Sequence, residues 1–283
     1  MSARLRGIAR ETEAIVRAGT YRAGDGREIS IEKGVAAALA GTRLYGPEPV
    51  PVAVDRDRTP VIDVTGESSL QAAARMTREG PGEVAVLNYA SARNPGGGYL
   101  NGAQAQEEAL CRGSALYATL LRAPGFYDHH RAERGVFYTD RVIHSPGVPV
   151  FRDDRGRLLD TPYAAGFLTS PAPNAGVIRA RTPQEAHLIP AALAARAERV
   201  LEVGAVNGYR RLVLGAWGCG VFQNDPAVVA DAFHALLTGE GRFAGHFEEV
   251  VFGILGRDDD SPTRVAFDRA FADRGRPSPS SRG

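Results

Sequence analysis

Cysteine is almost missing from this sequence: Cys111 and Cys219, far apart, are all that 283 residues contain. Two such residues cannot form the framework of a disulfide-rich secreted module, and a reducing cytoplasm is the expected compartment. Long apolar runs are missing too. No segment approaches the ~18 consecutive apolar residues of a membrane span, and the first residues lack the apolar stretch of a secretory signal, so a soluble protein without membrane partners is expected. Nor is there an excess of either charge: Lys and Arg total 34, Asp and Glu 33, for a formal net charge of +1. That balance excludes the broad basic footprint with which proteins grip duplex DNA, so an anionic ligand has to be met locally. Lysine occurs only at Lys33, and arginine carries the remaining positive charge, a bias that a GC-rich genome explains as well as any ligand does.

Familiar cofactor patterns are likewise absent. No glycine-rich stretch ends in Gly-Lys-Ser/Thr, and the Gly-x-Gly-x-x-Gly dinucleotide pattern is not met. His129, His130 and His144 have no acidic or thiol residues at metal-ligand spacing around them and read as structural or surface groups. No metal and no cofactor is expected.

The composition that is present, 43% hydrophobic, can bury a substantial core. Residues 4–18 carry Leu5, Ile8, Ile15 and Val16 at helical spacing and stop at Gly19. A second apolar stretch, Ile29 to Leu39, ends near Gly41. Residues 1–49 are therefore read as an N-terminal helical extension packed on the main body, too small for a core of its own. From residue 50 strands alternate with helices: strands at Val61–Val64, Glu83–Ala90, Gly135–Pro149, Val150–Arg152, Ala164–Thr169, Arg211–Leu214 and Phe247–Leu255; helices at 68–77, 104–121, 183–206, after Asp225-Pro226, and 262–271. Such alternation implies a sheet covered on both faces, with ligands at the carboxyl ends of its strands. Residues 50–273 form the expected main domain. The Pro, Ser, Gly and Arg-rich tail 274–283 is expected to be disordered.

Two glycine-rich loops follow apolar strands. One is Gly96-Gly97-Gly98, succeeded after seven residues by Gln106-Glu107-Glu108. The other is Gly215-Ala216-Trp217-Gly218-Cys219-Gly220-Val221-Phe222. Glycines let a backbone approach a ligand and aim N–H groups at it, and a helix start adds donors, so two such loops suit a diphosphate. A tight strand-to-helix turn would also use glycines. Glu107 and Glu108, neighbours on a helix, point about 100° apart and cannot flank a bond from opposite sides as glycosidase carboxylates usually do. Alone they would read as a solvated acidic helix start. Cys219 could be a nucleophile, but no histidine is near in sequence and the loop needs small residues. Cys111 reads as core.

The stretch from Leu87 through Gly96-Gly97-Gly98 to Gln106-Glu107-Glu108 resembles the signature of poly(ADP-ribose) glycohydrolases in their shorter, bacterial-type form. Leu214 to Phe222 resembles that family's diphosphate loop, and Ser145–Arg152 and Ala172-Pro173-Asn174 are similar as well. The resemblance implies a three-layer α/β/α macrodomain with a mixed central sheet that binds ADP-ribose across its crest. It implies hydrolysis of the ribose–ribose O-glycosidic bond of poly(ADP-ribose) without metal, with poly(ADP-ribose), ADP-ribose and ADP-ribosylated proteins as partners and a monomeric state. By motif position Glu108 is the acid/base, Glu107 holds ribose hydroxyls, and Gln106 orients the pair. Gly96, Gly97, Gly98, Gly218, Cys219, Gly220 and Val221 embrace the diphosphate, and Phe222 packs on the distal ribose. Ser91 stands where longer members carry a ribose-contacting Asn, for which Asn94 is a substitute. Residues 1–49 and Ser261 to Phe267 are candidates for a wall beyond the distal ribose. A non-catalytic ADP-ribose reader and a mono-ADP-ribosyl-protein hydrolase are the competing readings.

Overall fold

The computed structural model describes residues 2–256 and 260–272; the expected disordered tail 274–283 lies outside the described residues. In chain order the elements are α1 (Ala3–Ala18), β1 (Thr20–Arg22), β2 (Glu28–Ser30), α2 (Glu32–Gly41), β3 (Arg43–Tyr45), β4 (Val61–Thr65), α3 (Ser69–Glu79), β5 (Val84–Tyr89), α4 (Gln106–Gly113), α5 (Leu116–Leu120) and α6 (Pro124–Ala132). There follow β6 (Val142–Arg152), β7 (Leu158–Ser170), α7 (Ala175–Arg181), α8 (Ile189–Val206), β8 (Arg211–Gly215), α9 (Pro226–Leu237), β9 (Glu249–Gly253) and α10 (Pro262–Phe271). One seven-stranded sheet runs in the order β3-β6-β7-β5-β8-β9-β4. From β7 to β4 all neighbours are parallel, whereas β6 is antiparallel to both β7 and β3. The sheet is mixed, as expected.

Strand β5 shows why the sheet carries two cores. Its side chains alternate with period two: Val84 and Val86 join Ala9, Leu70, Met76 and Phe126 on one face, and Ala85 and Leu87 join Leu201, Trp217 and Phe233 on the other. Helices cover both sides, which makes the three-layer α/β/α architecture. Buried on both faces, β5 has no need of the polar alternation of a half-exposed strand.

Sequence pattern and structure part company where glycine or a tertiary contact intervenes. The helix expected over 104–121 breaks after Gly113, where a Cβ would meet Leu70 Cδ1 at 2.5 Å. Ser114 there is extended and bridges Val150. Val136-Phe137-Tyr138 is irregular rather than a strand, and β6 runs unbroken through Pro146 and Pro149 with a bulge between Ser145 and Val148. The helix expected from 183 is a 3₁₀ turn over Pro183–Leu188 before α8 begins. Residues 1–49 hold more than helices: a β1–β2 hairpin, and β3, which pairs with β6 as an edge of the central sheet. Helix α1 is tied to the body by the buried Arg152, whose Nε donates to Thr12 Oγ1 at 3.1 Å and whose Nη2 pairs with Glu11 at 2.9 Å.

Candidate active site

Strands β7, β5, β8 and β9 are consecutive and parallel, so the segments that follow them leave the sheet along one edge. Both glycine-rich loops lie there side by side, because β5 and β8 pair directly. Gln106 clips the first loop to the strand. Its Oε1 accepts from the Tyr89 N–H at 2.9 Å, and its Nε2 donates to Leu87 O at 2.8 Å and Ser69 Oγ at 3.0 Å. With both ends of its amide bonded within the protein, Gln106 fixes the start of α4 against the end of β5.

The two carboxylates are buried, Glu107 at 3% and Glu108 at 8% exposure. A solvated acidic helix start is thereby excluded. Glu107 turns to the end of β5: its Oε2 accepts from the Ser91 N–H at 2.7 Å and its Oε1 from Asn88 Nδ2 at 3.2 Å. Asn88, wholly buried, also donates to Thr169 Oγ1 at 3.1 Å. Glu108 turns to the glycine triplet, accepting from the Gly98 N–H at 2.8 Å. The pair converges on Gly97, where an added Cβ would lie 2.5 Å from Glu108 Oε1 and 3.2 Å from Glu107 Oε2. Burial, with the neighbouring Glu108 charge adding to it, pushes the Glu107 carboxyl up to about 8 despite the Ser91, Asn88 and Gly96 donors that favour its anion. Near neutral pH the site thus holds a carboxylic acid.

The triplet is glycine for local reasons as well. Gly96 and Gly97 have φ of +65° and +58°, and a Cβ at Gly96 would sit 2.9 Å from the Tyr117 ring. Gly97→Ala is expected to displace Glu108 and lower turnover about tenfold or more, beyond the roughly 1–2 kcal/mol that a left-handed non-glycine residue costs in stability. Gly82→Ala is the control, since Gly82 shares a positive φ but a Cβ there meets nothing within 4 Å. Parallel assays and melting curves separate collision from backbone strain.

In the second loop Asn224 Nδ2 donates to Pro173 O and Gly218 O, and Gly218 at φ +71° passes within 2.5 Å of that amide by its would-be Cβ. Gly218 is therefore required to be glycine by its packing against Asn224 and Ala172. Gly220 faces open space and Val221 is 81% exposed, which leaves this part of the loop accessible to a ligand. Burial pushes the Cys219 thiol up to about 12, so it is no thiolate nucleophile at neutral pH. Phe222 is half-buried and lies 5.9 Å from the Tyr138 ring. Asn94 is exposed; its N–H donates to Ser91 Oγ at 3.2 Å, so Ser91 supports both this turn and Glu107.

Sequence reading missed a sizeable cleft. A cleft of about 780 Å³ is lined by Ser68, Ser69, Tyr89, Gln106, Ala216, Cys219, Gly220, Ile254, Leu255 and Thr263, with Arg4 and Leu5 of α1 at its margin. It lies in the size range of nucleotide-sized pockets. Neither Glu107 nor Glu108 lines it: the cleft abuts the Gln106 side of α4, and the carboxylates turn to the other. Ser261 and Thr263 border this cleft. His130, held between Phe126 O and Thr139 Oγ1, is pushed down to about 4 by burial and stays neutral.

Residues 9–153, which carry α1 to β6 and the first loop with both glutamates, match the family model described as microbial-type PARG, catalytic domain. The chain belongs to this family. Its PARG-type fold agrees with solved relatives. The poly(ADP-ribose) glycohydrolase from Thermomonospora curvata is 48% identical over 95% of this chain and 100% of that one, with a TM-score of 0.90. The same enzyme bound to the inhibitor ADP-HPD gives the same identity and coverage and a TM-score of 0.87. The Deinococcus radiodurans enzyme in complex with ADP-ribose is 45% identical over 83% of this chain and 96% of that one, with a TM-score of 0.76. No curated protein matches the sequence.

Proposed function

We propose that this protein is a poly(ADP-ribose) glycohydrolase that releases ADP-ribose by hydrolysing the ribose–ribose bond. The observation that carries this reading is the buried pair Glu107 and Glu108 converging on Gly97 at the sheet edge, beside a nucleotide-sized cleft. The relatives support the ligand class, since one holds ADP-ribose and another ADP-HPD. In this reading the cleft takes the adenosine half of the terminal unit, the two loops take its diphosphate, and the distal ribose lies between Phe222 and the glutamates. Asn94 and Ser91 border that ribose.

Glu108 gives a proton to the 2′-oxygen of the leaving unit as the bond from that oxygen to C1″ breaks. The oxocarbenium-like ribose faces the bound diphosphate, whose charge stabilises it. Glu108, now a carboxylate, takes a proton from water as the water oxygen bonds to C1″, which restores the acid. Glu107 accepts from the ribose hydroxyls beside the reacting carbon. Burial pushes the Glu107 carboxyl up to about 8 in the free protein, so near neutral pH this side chain is held largely as the neutral acid.

Incubation with polymer-modified protein tests the reading against its rivals. Free ADP-ribose is the expected product. Binding without release identifies a reader, and loss of only the protein-proximal unit identifies a mono-ADP-ribosyl hydrolase. ADP-ribosylated proteins are the proposed targets and the cytoplasm the proposed compartment, the latter resting on the low cysteine content.

A further inference from the structure

The described residues contain two non-glycine residues at positive φ, Tyr138 at +59° and Gln223 at +56°. They meet at one place: Gln223 follows Phe222 in the chain, and the Tyr138 ring lies 5.9 Å from the Phe222 ring. Left-handed backbone at bulky residues persists only where surrounding contacts enforce it, and such residues gather at ligand sites. Here the enforcing contacts are visible. The Tyr138 ring is 5.8 Å from His130 at 87°, and Arg93 Cζ stands 6.0 Å from the ring centroid. Arg93 is fixed by Nε donating to His130 O at 3.2 Å and Nη2 to Arg134 O at 3.4 Å, and Arg131 Nη1 donates to Arg93 O at 2.6 Å.

The chemistry of this patch is aromatic and cationic. Arg93 donates to main-chain carbonyls and has no carboxylate partner among the described residues; Arg134 and Arg141 have none either, while Arg131 is paired with Asp128. Tyr138 is half-buried, so part of its ring remains open. The adenosine cleft lies on the Gln106 side of α4, and neither Tyr138 nor Arg93 lines it. Arg93 belongs to the turn that carries Ser91, whose N–H holds Glu107. Tyr138 touches Phe222. The patch therefore adjoins the turn that holds Glu107 and the Phe222 ring, outside the lining of the cleft.

We infer that Arg93 and Tyr138 form a subsite for the adenosine diphosphate portion of the polymer unit on the leaving side of the scissile bond, the adenine stacking on Tyr138 and a phosphate meeting Arg93. This rests on the proposed glycohydrolase reading. Stacking and a guanidinium–phosphate contact suit a unit whose sequence never varies, and each is of the size that changes affinity by about tenfold.

The test compares Arg93→Gln and Tyr138→Gly with the unsubstituted protein on three ligands: polymer, ADP-ribose bearing a small alkyl group at C1″, and free ADP-ribose. Tyr138→Gly removes the side chain with its ring and accepts the left-handed backbone without strain. The expected result is a rise of about tenfold in KM for polymer, with unchanged turnover of the alkyl glycoside and an unchanged Kd for ADP-ribose. Arg93→Gln should also make the dependence of polymer affinity on salt shallower by about one phosphate contact. Equal losses on polymer and alkyl glycoside would show that the two residues merely support Phe222, and undiminished polymer affinity would show that the leaving unit is not held there; either overturns the inference. If the unsubstituted protein cleaves neither substrate, the parent reading falls. The affinities of a two-unit fragment and of ADP-ribose then still decide whether the patch adds binding.

Discussion

Glu108→Gln abolishes nearly all turnover of poly(ADP-ribose), by at least about 10²-fold, and leaves the Kd for ADP-ribose within a few-fold of the original. The expectation follows from what each atom does. Glu108 Oε1 accepts the Gly98 N–H at 2.8 Å, and a glutamine oxygen accepts the same bond, so the triplet and its diphosphate contacts keep their shape. What the amide cannot do is give a proton to the leaving oxygen and take one back from water. A melting curve shows whether the fold is intact, and a titration with ADP-ribose shows whether the site is. A variant that folds, binds and still cleaves removes Glu108 from the chemistry.

The second large effect concerns Glu107 and appears in stability as a function of pH. Its carboxyl stands near 4.5 in an unfolded chain and is pushed up to about 8 in the fold. Between those values the folded state binds more protons than the unfolded one, so stability falls as pH rises. The contribution is fully present below about 4.5 and is lost by the time pH passes about 8. At 1.36 kcal/mol per pKa unit the whole span is worth on the order of 5 kcal/mol. Glu107→Gln is permanently neutral and should lack this slope. Its amide can satisfy only one of the two donors, Ser91 N–H and Asn88 Nδ2, which costs roughly 1–3 kcal/mol at all pH values. The variant is therefore the less stable protein at pH 5 and approaches or exceeds the original at pH 9. Denaturant unfolding at the two pH values measures the crossing. Parallel curves would show that Glu107 is not the buried acid.

Much of this was readable in the chain. The strand ending in Asn88-Tyr89, the two glycine loops, Asp225 and Pro226 opening α9, and the alternation that makes a covered sheet are local patterns, and local patterns survive into the fold. Asp225 does accept from the Ala227 N–H at 2.9 Å as an N-cap should. Burial of the glutamates was not readable, because adjacent acids at a helix start look alike whether solvated or enclosed. What encloses them is tertiary: Asn88 from the strand, Ser91 from the turn, and the Tyr117 ring and Cys111 behind Gly96.

The remaining differences have the same origin. A lone glycine inside a helix costs only about 1 kcal/mol relative to alanine, but at Gly113 Leu70 and Arg152 O press in from other elements, and the helix ends there. Residues 43–45 are too short to announce a strand by periodicity, and β3 exists because β6 offers it a partner. The cleft could not be found from sequence at all. Its lining residues come from α1, α3, α4, the second loop and the segment after β9, and no single stretch of chain carries its signature. The apolar pattern places Tyr138 in a strand, whereas in the fold it is irregular, with φ of +59°, and packs beside Phe222.

One structure tests the central claim most directly: the Glu108→Gln variant crystallised with a two-unit poly(ADP-ribose) fragment. The scissile 2′-oxygen is expected within about 3 Å of the residue-108 side chain, with the hydroxyls of the distal ribose on Glu107 and its adenosine in the cleft beside Ser68 and Ile254. A scissile oxygen nearer to Glu107 would reverse the two roles. One remote from both glutamates would contradict the account.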